Sequence, residues 1–122
     1  MLASEGETNG RCKYSQRRGN MSFQRWGYDF DGAYSDPAQV KSQAGVYIIW
    51  CQAGGSWKVL DVGESEDVKA RLSNHERATC WRKYCTDILQ YSATYTPGMS
   101  ADGRRRIEAL IRQSEKPPCG AF

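Results

Sequence analysis

Seven uncharged residues, GVYIIWC at positions 45–51, constrain the fold of this chain more than any other stretch. A run this short, rich in β-branched and aromatic residues, predicts a strand in the middle of a sheet. Gly54-Gly55 follows as a hairpin loop, and WKVLDVG at 57–63 as the partner strand. So tight a connection makes the two strands antiparallel. Side chains alternate along a strand, so Gly45, Tyr47 and Ile49 share one face and Val46, Ile48 and Trp50 the other. On the second strand the same rule groups Trp57, Val59 and Asp61.

The rest of the chain fits around this hairpin. Ser65 is a good helix cap, with Glu66 and Asp67 placed where acids suit the helix dipole, so a helix is predicted over 65–76. Val68 and Leu72 would face the core, and Arg71 and His75, four apart, would stack on the flank of that stripe. DILQYSATYT at 87–96 alternates as a third strand, and Pro97-Gly98 ends it. Ser100 or Asp102 caps a last helix over 101–114, with Ile107, Leu110 and Ile111 as its buried stripe and Glu108 beside it. The expected class is α+β: a small three-stranded antiparallel sheet flanked by helices.

A length of 122 residues allows one domain. Arg11, Lys13, Arg17 and Arg18 make residues 1–20 a flexible basic arm, and residues 21–122 form the domain. Residues 21–38 interleave Phe23, Trp26, Tyr28, Phe30 and Tyr34 with glycine and aspartate. This predicts an irregular segment whose aromatics cap the core edge, with stacking on bases as the functional alternative. The net charge of +3 permits a nucleic-acid partner without demanding one. Arg104, Arg105 and Arg106 sit in a first helical turn, against the helix dipole. With Arg82 and Lys83 they are candidates for phosphate contacts; a solvated charged face is the plain alternative.

Five cysteines, an odd number with no secretion signal, read as free thiols in a reducing compartment. A zinc set from His75, Cys80, Cys85 and Cys119 is the alternative, but its H-x4-C-x4-C spacing lacks the close C-x2-C pairing of zinc knuckles. No apolar run is long enough to cross a bilayer, and MLASEGETNG lacks the apolar centre of a signal peptide. The expectation is a cytoplasmic protein with no membrane partner.

Taken in order, GVY at 45–47, DVGES at 61–65, KARLSNH at 69–75, IEALI at 107–111 and KPP at 116–118 resemble the GIY-YIG endonuclease superfamily over residues 44–120. The resemblance implies a site residue by residue. Tyr47 matches the first-motif tyrosine, which acts as general base or neighbours the attacking water. Gly63 matches the second-motif glycine, Arg71 the arginine that steadies the phosphate, and His75 a position that is His or Tyr in relatives. Glu108 matches the metal-binding glutamate. Two positions depart: Asp61 stands where the second motif begins with tyrosine, and Gly120 where a closing asparagine is expected.

The implied function is a DNA endonuclease that hydrolyses phosphodiester bonds with one divalent metal, Mg²⁺ or Mn²⁺. An ion on Glu108 would offset charge on the leaving oxygen, and Arg71 would add a fixed cation. Tyrosine, with a reference pKa of about 10, needs such cations to serve as a base near neutrality. Asp61 could take a proton from Tyr47, join Glu108 on the metal, or repel the phosphate and leave the domain inactive; a strand-end Asp reaching solvent is its plain reading. For Glu108 the plain reading is an ion-pair row with Arg104 and Arg112, each four residues away. The competing function is a catalytically inactive GIY-YIG fold used as a nucleic-acid or protein-binding module. With no separate targeting domain, specificity would come from the arm, the loops or a protein partner.

Overall fold

The computed structural model describes the backbone of residues 13–17 and 20–120 and the side chains of residues 21–120. Among the described residues, β1 (Lys13–Arg17), β2 (Asn20–Arg25), β3 (Tyr28–Tyr34), β4 (Gly45–Ala53), β5 (Ser56–Ser65) and β6 (Ile88–Tyr95) form one sheet. The order is β1-β2-β3-β6-β4-β5 and every pairing is antiparallel. The expected three-stranded sheet is therefore too small. Its three strands are present, with β4 between β5 and β6, but the sheet continues past β6 through β3, β2 and β1.

The added strands come from the segment expected to be irregular. Phe23 and Phe30 lie opposite each other on β2 and β3, their rings stacked 5.4 Å apart. Trp26 and Gly27 both adopt positive φ, 53° and 85°, and turn the chain between them, as a two-residue hairpin of matching twist requires. Burial of alternate aromatics drives a strand here. Residues 13–17 of the expected arm form β1; residues 1–12 and 18–19, with Arg11, Cys12 and Arg18, lie outside the described residues.

β4 is buried from Gly45 to Cys51 because both of its faces are covered. Tyr47, Ile49 and Cys51 pack with Val68, Leu72 and Trp81. Val46, Ile48 and Trp50 pack with Phe23, Phe30, Ile107 and Ile111. The alternation expected on β4 holds. On β5 it fails at one point. Trp50 pairs with Val59 and Ile49 with Asp61, leaving Leu60 as an extra residue in a β-bulge. Val59 stays with Trp50, while Asp61 turns to the face of Ile49 and Tyr47. Sequence alternation had placed Asp61 with Val59, and the bulge reverses that.

Helix α1 (Val68–Ser73) is shorter than expected. Strand pairing runs on to Ser65, and Asp67 is the cap, its carboxylate accepting from the Ala70 N–H at 3.1 Å. His75 therefore lies beyond α1, in the connection to α2 (Ala78–Tyr84), a helix the sequence reading did not separate. Helix α3 (Ala101–Glu115) matches its expected span, capped by Ser100, and Lys116 closes it in the left-handed conformation. Leu110, expected in its buried stripe, is 63% exposed, and Arg104 and Arg112 are buried instead. α1 and α2 cover one face of the sheet and α3 the other.

The described cysteines are paired, contrary to the expected free thiols. Cys51 is bonded to Cys85, and Cys80 to Cys119. Disulfide sulfurs are not available as thiolate ligands, so this pairing also removes the zinc alternative. No helix among the described residues is long and apolar enough to cross a membrane.

Candidate functional site

β5 is the last strand of the sheet, and Tyr47, Asp61 and His75 lie beside it. Tyr47 stands opposite Gly63. The phenol lies over that glycine, and a Cβ at Gly63 would overlap the phenol oxygen and its ring carbon. Tyr47 Oη meets His75 Nε2 at 2.7 Å. The backbone N–H of Arg77 donates to His75 Nδ1 at 3.0 Å, and the imidazole packs 4.7 Å from the Trp81 ring. With Nδ1 accepting, the neutral ring carries its proton on Nε2 and donates it to Tyr47.

Burial, reinforced by the Arg71 and Arg77 cations, holds His75 down at a pKa of about 4, so it is neutral at pH 7. Burial pushes Tyr47 up to about 12; Arg71 and Arg77 pull it down, and Asp61 and Glu108 push it further up. At neutral pH Tyr47 is a phenol whose oxygen accepts from His75 and whose own O–H is left to donate.

Asp61 is fully buried and its oxygens are saturated. They accept from the Val62 N–H at 2.8 Å, Arg77 Nε at 2.7 Å, Arg77 Nη2 at 3.3 Å, Trp81 Nε1 at 2.8 Å and Arg112 Nη2. A buried carboxylate requires such pairing. No lone pair faces an ion or a substrate, so Asp61 is a structural hub and not the metal ligand or proton acceptor considered from the sequence. Arg112 also donates to the Val62 and Cys119 carbonyls. Gly120, with φ of +77°, packs against this hub.

Glu108 lies on the other face. α3 packs against the face opposite Tyr47, and the pocket that Glu108 lines does not include Tyr47, Arg71 or His75. Glu108 Oε2 accepts from Arg112 Nε at 3.2 Å. It lines a pocket of about 710 Å³ together with Arg77, Arg105, Arg112, Lys116 and Gly120. Among the described residues, no group of three or more His, Cys, Asp or Glu could hold a metal ion. With Asp61 saturated, Glu108 is the carboxylate this pocket offers. One carboxylate, already paired with Arg112 and set among Arg77, Arg105, Arg112 and Lys116, is not by itself a divalent-ion site; an ion there would need water and phosphate oxygens for most of its ligands.

The remaining expected residues divide. Arg71, half-buried, forms a fork with Glu76, at 2.7 and 2.8 Å. Arg104 is buried, donating to Glu64 at 2.7 Å and to the Met99 carbonyl, so it faces inward. Arg105 pairs with Asp102 at 3.0 Å and lies 3.8 Å from Glu64. Arg106, Arg82 and Lys83 are exposed, the last two at the end of α2. Arg77, Glu76, Trp81 and Arg112 were missed as site residues. A charge on β5 among apolar neighbours signals a buried cationic partner, and Arg112 next to Ile111 in an apolar stripe was a candidate. Arg77 and Glu76 lie in a connection whose path has no periodic signal.

Comparison with family models, curated proteins and solved structures returns no significant match.

Proposed function

We propose that this chain is a divergent GIY-YIG-type domain whose edge site binds and hydrolyses a phosphodiester of DNA. The observation that carries the reading is the Tyr47–His75 pair: a phenol laid over Gly63 and held by an imidazole of fixed tautomer. Arg71 and Arg77 supply fixed positive charge at that phenol, and Glu108 supplies a carboxylate. Preorganised cations of this kind stabilise a phosphate as negative charge builds on it. Tyr47 donates its O–H to a phosphate oxygen or orients the attacking water, while the His75 Nε2–H steadies the phenol oxygen. A Mg²⁺ or Mn²⁺ ion on Glu108, when bound, would offset leaving-group charge and turn that side chain's upward push on Tyr47 into a downward one.

A second reading, an inactive fold that binds nucleic acid or protein, is favoured by one observation: Tyr47 is only 1% exposed, so water reaches it only if the edge opens. Supercoiled plasmid incubated with Mn²⁺ or Mg²⁺ separates the two. Nicking that falls about 100-fold or more in Tyr47→Phe and in Glu108→Gln, with DNA binding retained, supports hydrolysis. Wild-type protein that binds DNA in a salt-dependent way but never nicks it is a binding module. The compartment bears on this assay. A cytoplasmic setting would keep the cysteines reduced, whereas an oxidising one keeps both cross-links. The mass of protein from its native source after alkylation decides which form to assay.

A further inference from the structure

Glu76 occupies the anion seat of the candidate site. Its two carboxylate oxygens accept from both Nη atoms of Arg71, one oxygen each, at 2.7 and 2.8 Å. The carboxylate is also 3.7 Å from Arg77 Nη1 and 4.0 Å from His75 Nδ1. Two cations thus converge on one carboxylate supplied by the connection between α1 and α2. The guanidinium fork binds carboxylate and phosphate in the same bidentate way. The Glu76 side chain is 62% exposed, while Arg71 is 30% exposed and Arg77 27%. An ion pair that exposed adds little to stability, so it is poorly suited to holding the fold and well suited to being displaced.

We propose that Glu76 is a tethered stand-in for the phosphodiester and sets the specificity of the site. This rests on the phosphodiester reading above. A lone small anion must compete for Arg71 against a carboxylate that is always present. A nucleic-acid backbone brings neighbouring phosphates that make further contacts and so displaces it. Removing the Glu76 charge therefore raises affinity for a phosphodiester backbone and relaxes selection against small anions.

The test measures binding of a labelled 12-base-pair DNA duplex, without divalent metal and at fixed salt. Five proteins are compared: wild type, Glu76→Gln, Glu66→Gln, Arg71→Met and the double variant Arg71→Met/Glu76→Gln. Glu66 is an exposed carboxylate ahead of α1 and controls for the loss of one negative charge. Glu76→Gln is expected to bind about threefold to tenfold more tightly than wild type, and Glu66→Gln within about twofold of it. In an Arg71→Met background the Glu76→Gln gain should vanish. Inorganic phosphate should displace the duplex at lower concentration from Glu76→Gln than from wild type. Equal affinities of Glu76→Gln and Glu66→Gln overturn the inference and leave the phosphodiester reading standing. Absence of duplex binding in all five proteins overturns both.

Discussion

Gly120 and Asp61 stand against each other at the β5 edge: a side chain on Gly120 would come within 2.7 Å of Asp61 Oδ1 and overlap the Arg112 guanidinium. These are the two positions where the sequence departs from the GIY-YIG pattern. In three dimensions they are one arrangement, in which Arg112 fills the space and carries the opposing charge. Asp61→Asn is expected to cost about 3–5 kcal/mol, because it removes the fully buried counterion shared by the buried Arg112 and the partly buried Arg77. Asp61→Tyr, the change the resemblance suggests, should also destabilise the domain. Urea unfolding monitored by tryptophan fluorescence checks both; a loss under about 1 kcal/mol for Asp61→Asn would show that the hub is not the buried ion cluster described.

The His75 environment makes a pH prediction with a definite sign. The folded pKa is about 4, below the ordinary value of 6.5. Between these values the unfolded chain binds a proton that the folded one does not. Stability is unaffected by this group above pH 6.5, falls as the pH drops toward 4, and levels off below. The full loss is on the order of 3 kcal/mol. The chain contains one histidine, so its imidazole NMR signals are unambiguous. They should stay in the neutral, Nε2-protonated form down to about pH 4, and the slope of stability against pH should flatten in His75→Gln.

Gly63→Ala adds one methyl group where the Tyr47 phenol lies. Overpacking of this kind costs about 1–3 kcal/mol. The ring must lift off β5, which separates Oη from His75. The His75 Nε2–H resonance should move or exchange faster, and any nicking activity should fall with it. Gly54→Ala is the contrast: it sits at positive φ, but a Cβ there meets nothing within 4 Å, so it is strained without disturbing the site.

Reduction tests the cross-links. Cys51–Cys85 and Cys80–Cys119 span 34 and 39 residues. Loops of this length give about 2–4 kcal/mol each through restriction of the unfolded chain. Dithiothreitol should lower the melting temperature clearly. Trp81, which lies between Cys80 and Cys85 and donates to Asp61, should report the loosening of α2 in its fluorescence. An unchanged melting temperature would mean that the bonds are absent from the protein in solution.

The hairpin of β4 and β5, the third strand, the span of α3 and the faces of β4 were legible because each rests on local periodicity. The sheet's other half was not, since Phe23 and Phe30 alternate among glycines and aspartates that resemble loop. Of the residues the resemblance singles out, Tyr47 and His75 meet, with His75 off the helix, whereas Glu108 sits with α3 on the opposite face. Asp61 was noticed but misread. Its role depends on a bulge at Leu60 and on Arg77 and Arg112, 16 and 51 residues away, and no local pattern encodes those distances. The cysteine pairing was hidden for the same reason: Cys80 and Cys85, five apart, each bond to a distant partner and not to each other.

The two disulfides overlap in sequence, and this has a consequence for a chain exposed to proteases. Cys51–Cys85 bridges every peptide bond between those residues, and Cys80–Cys119 every bond from 80 to 119. A single cut anywhere between residues 51 and 119 therefore leaves one covalent molecule, with β5, α1, α2, β6 and α3 still attached. A cut in the connection between β3 and β4 instead releases the first three strands. Limited digestion should show a nicked species of unchanged mass, apart from added water, that separates into fragments only after reduction.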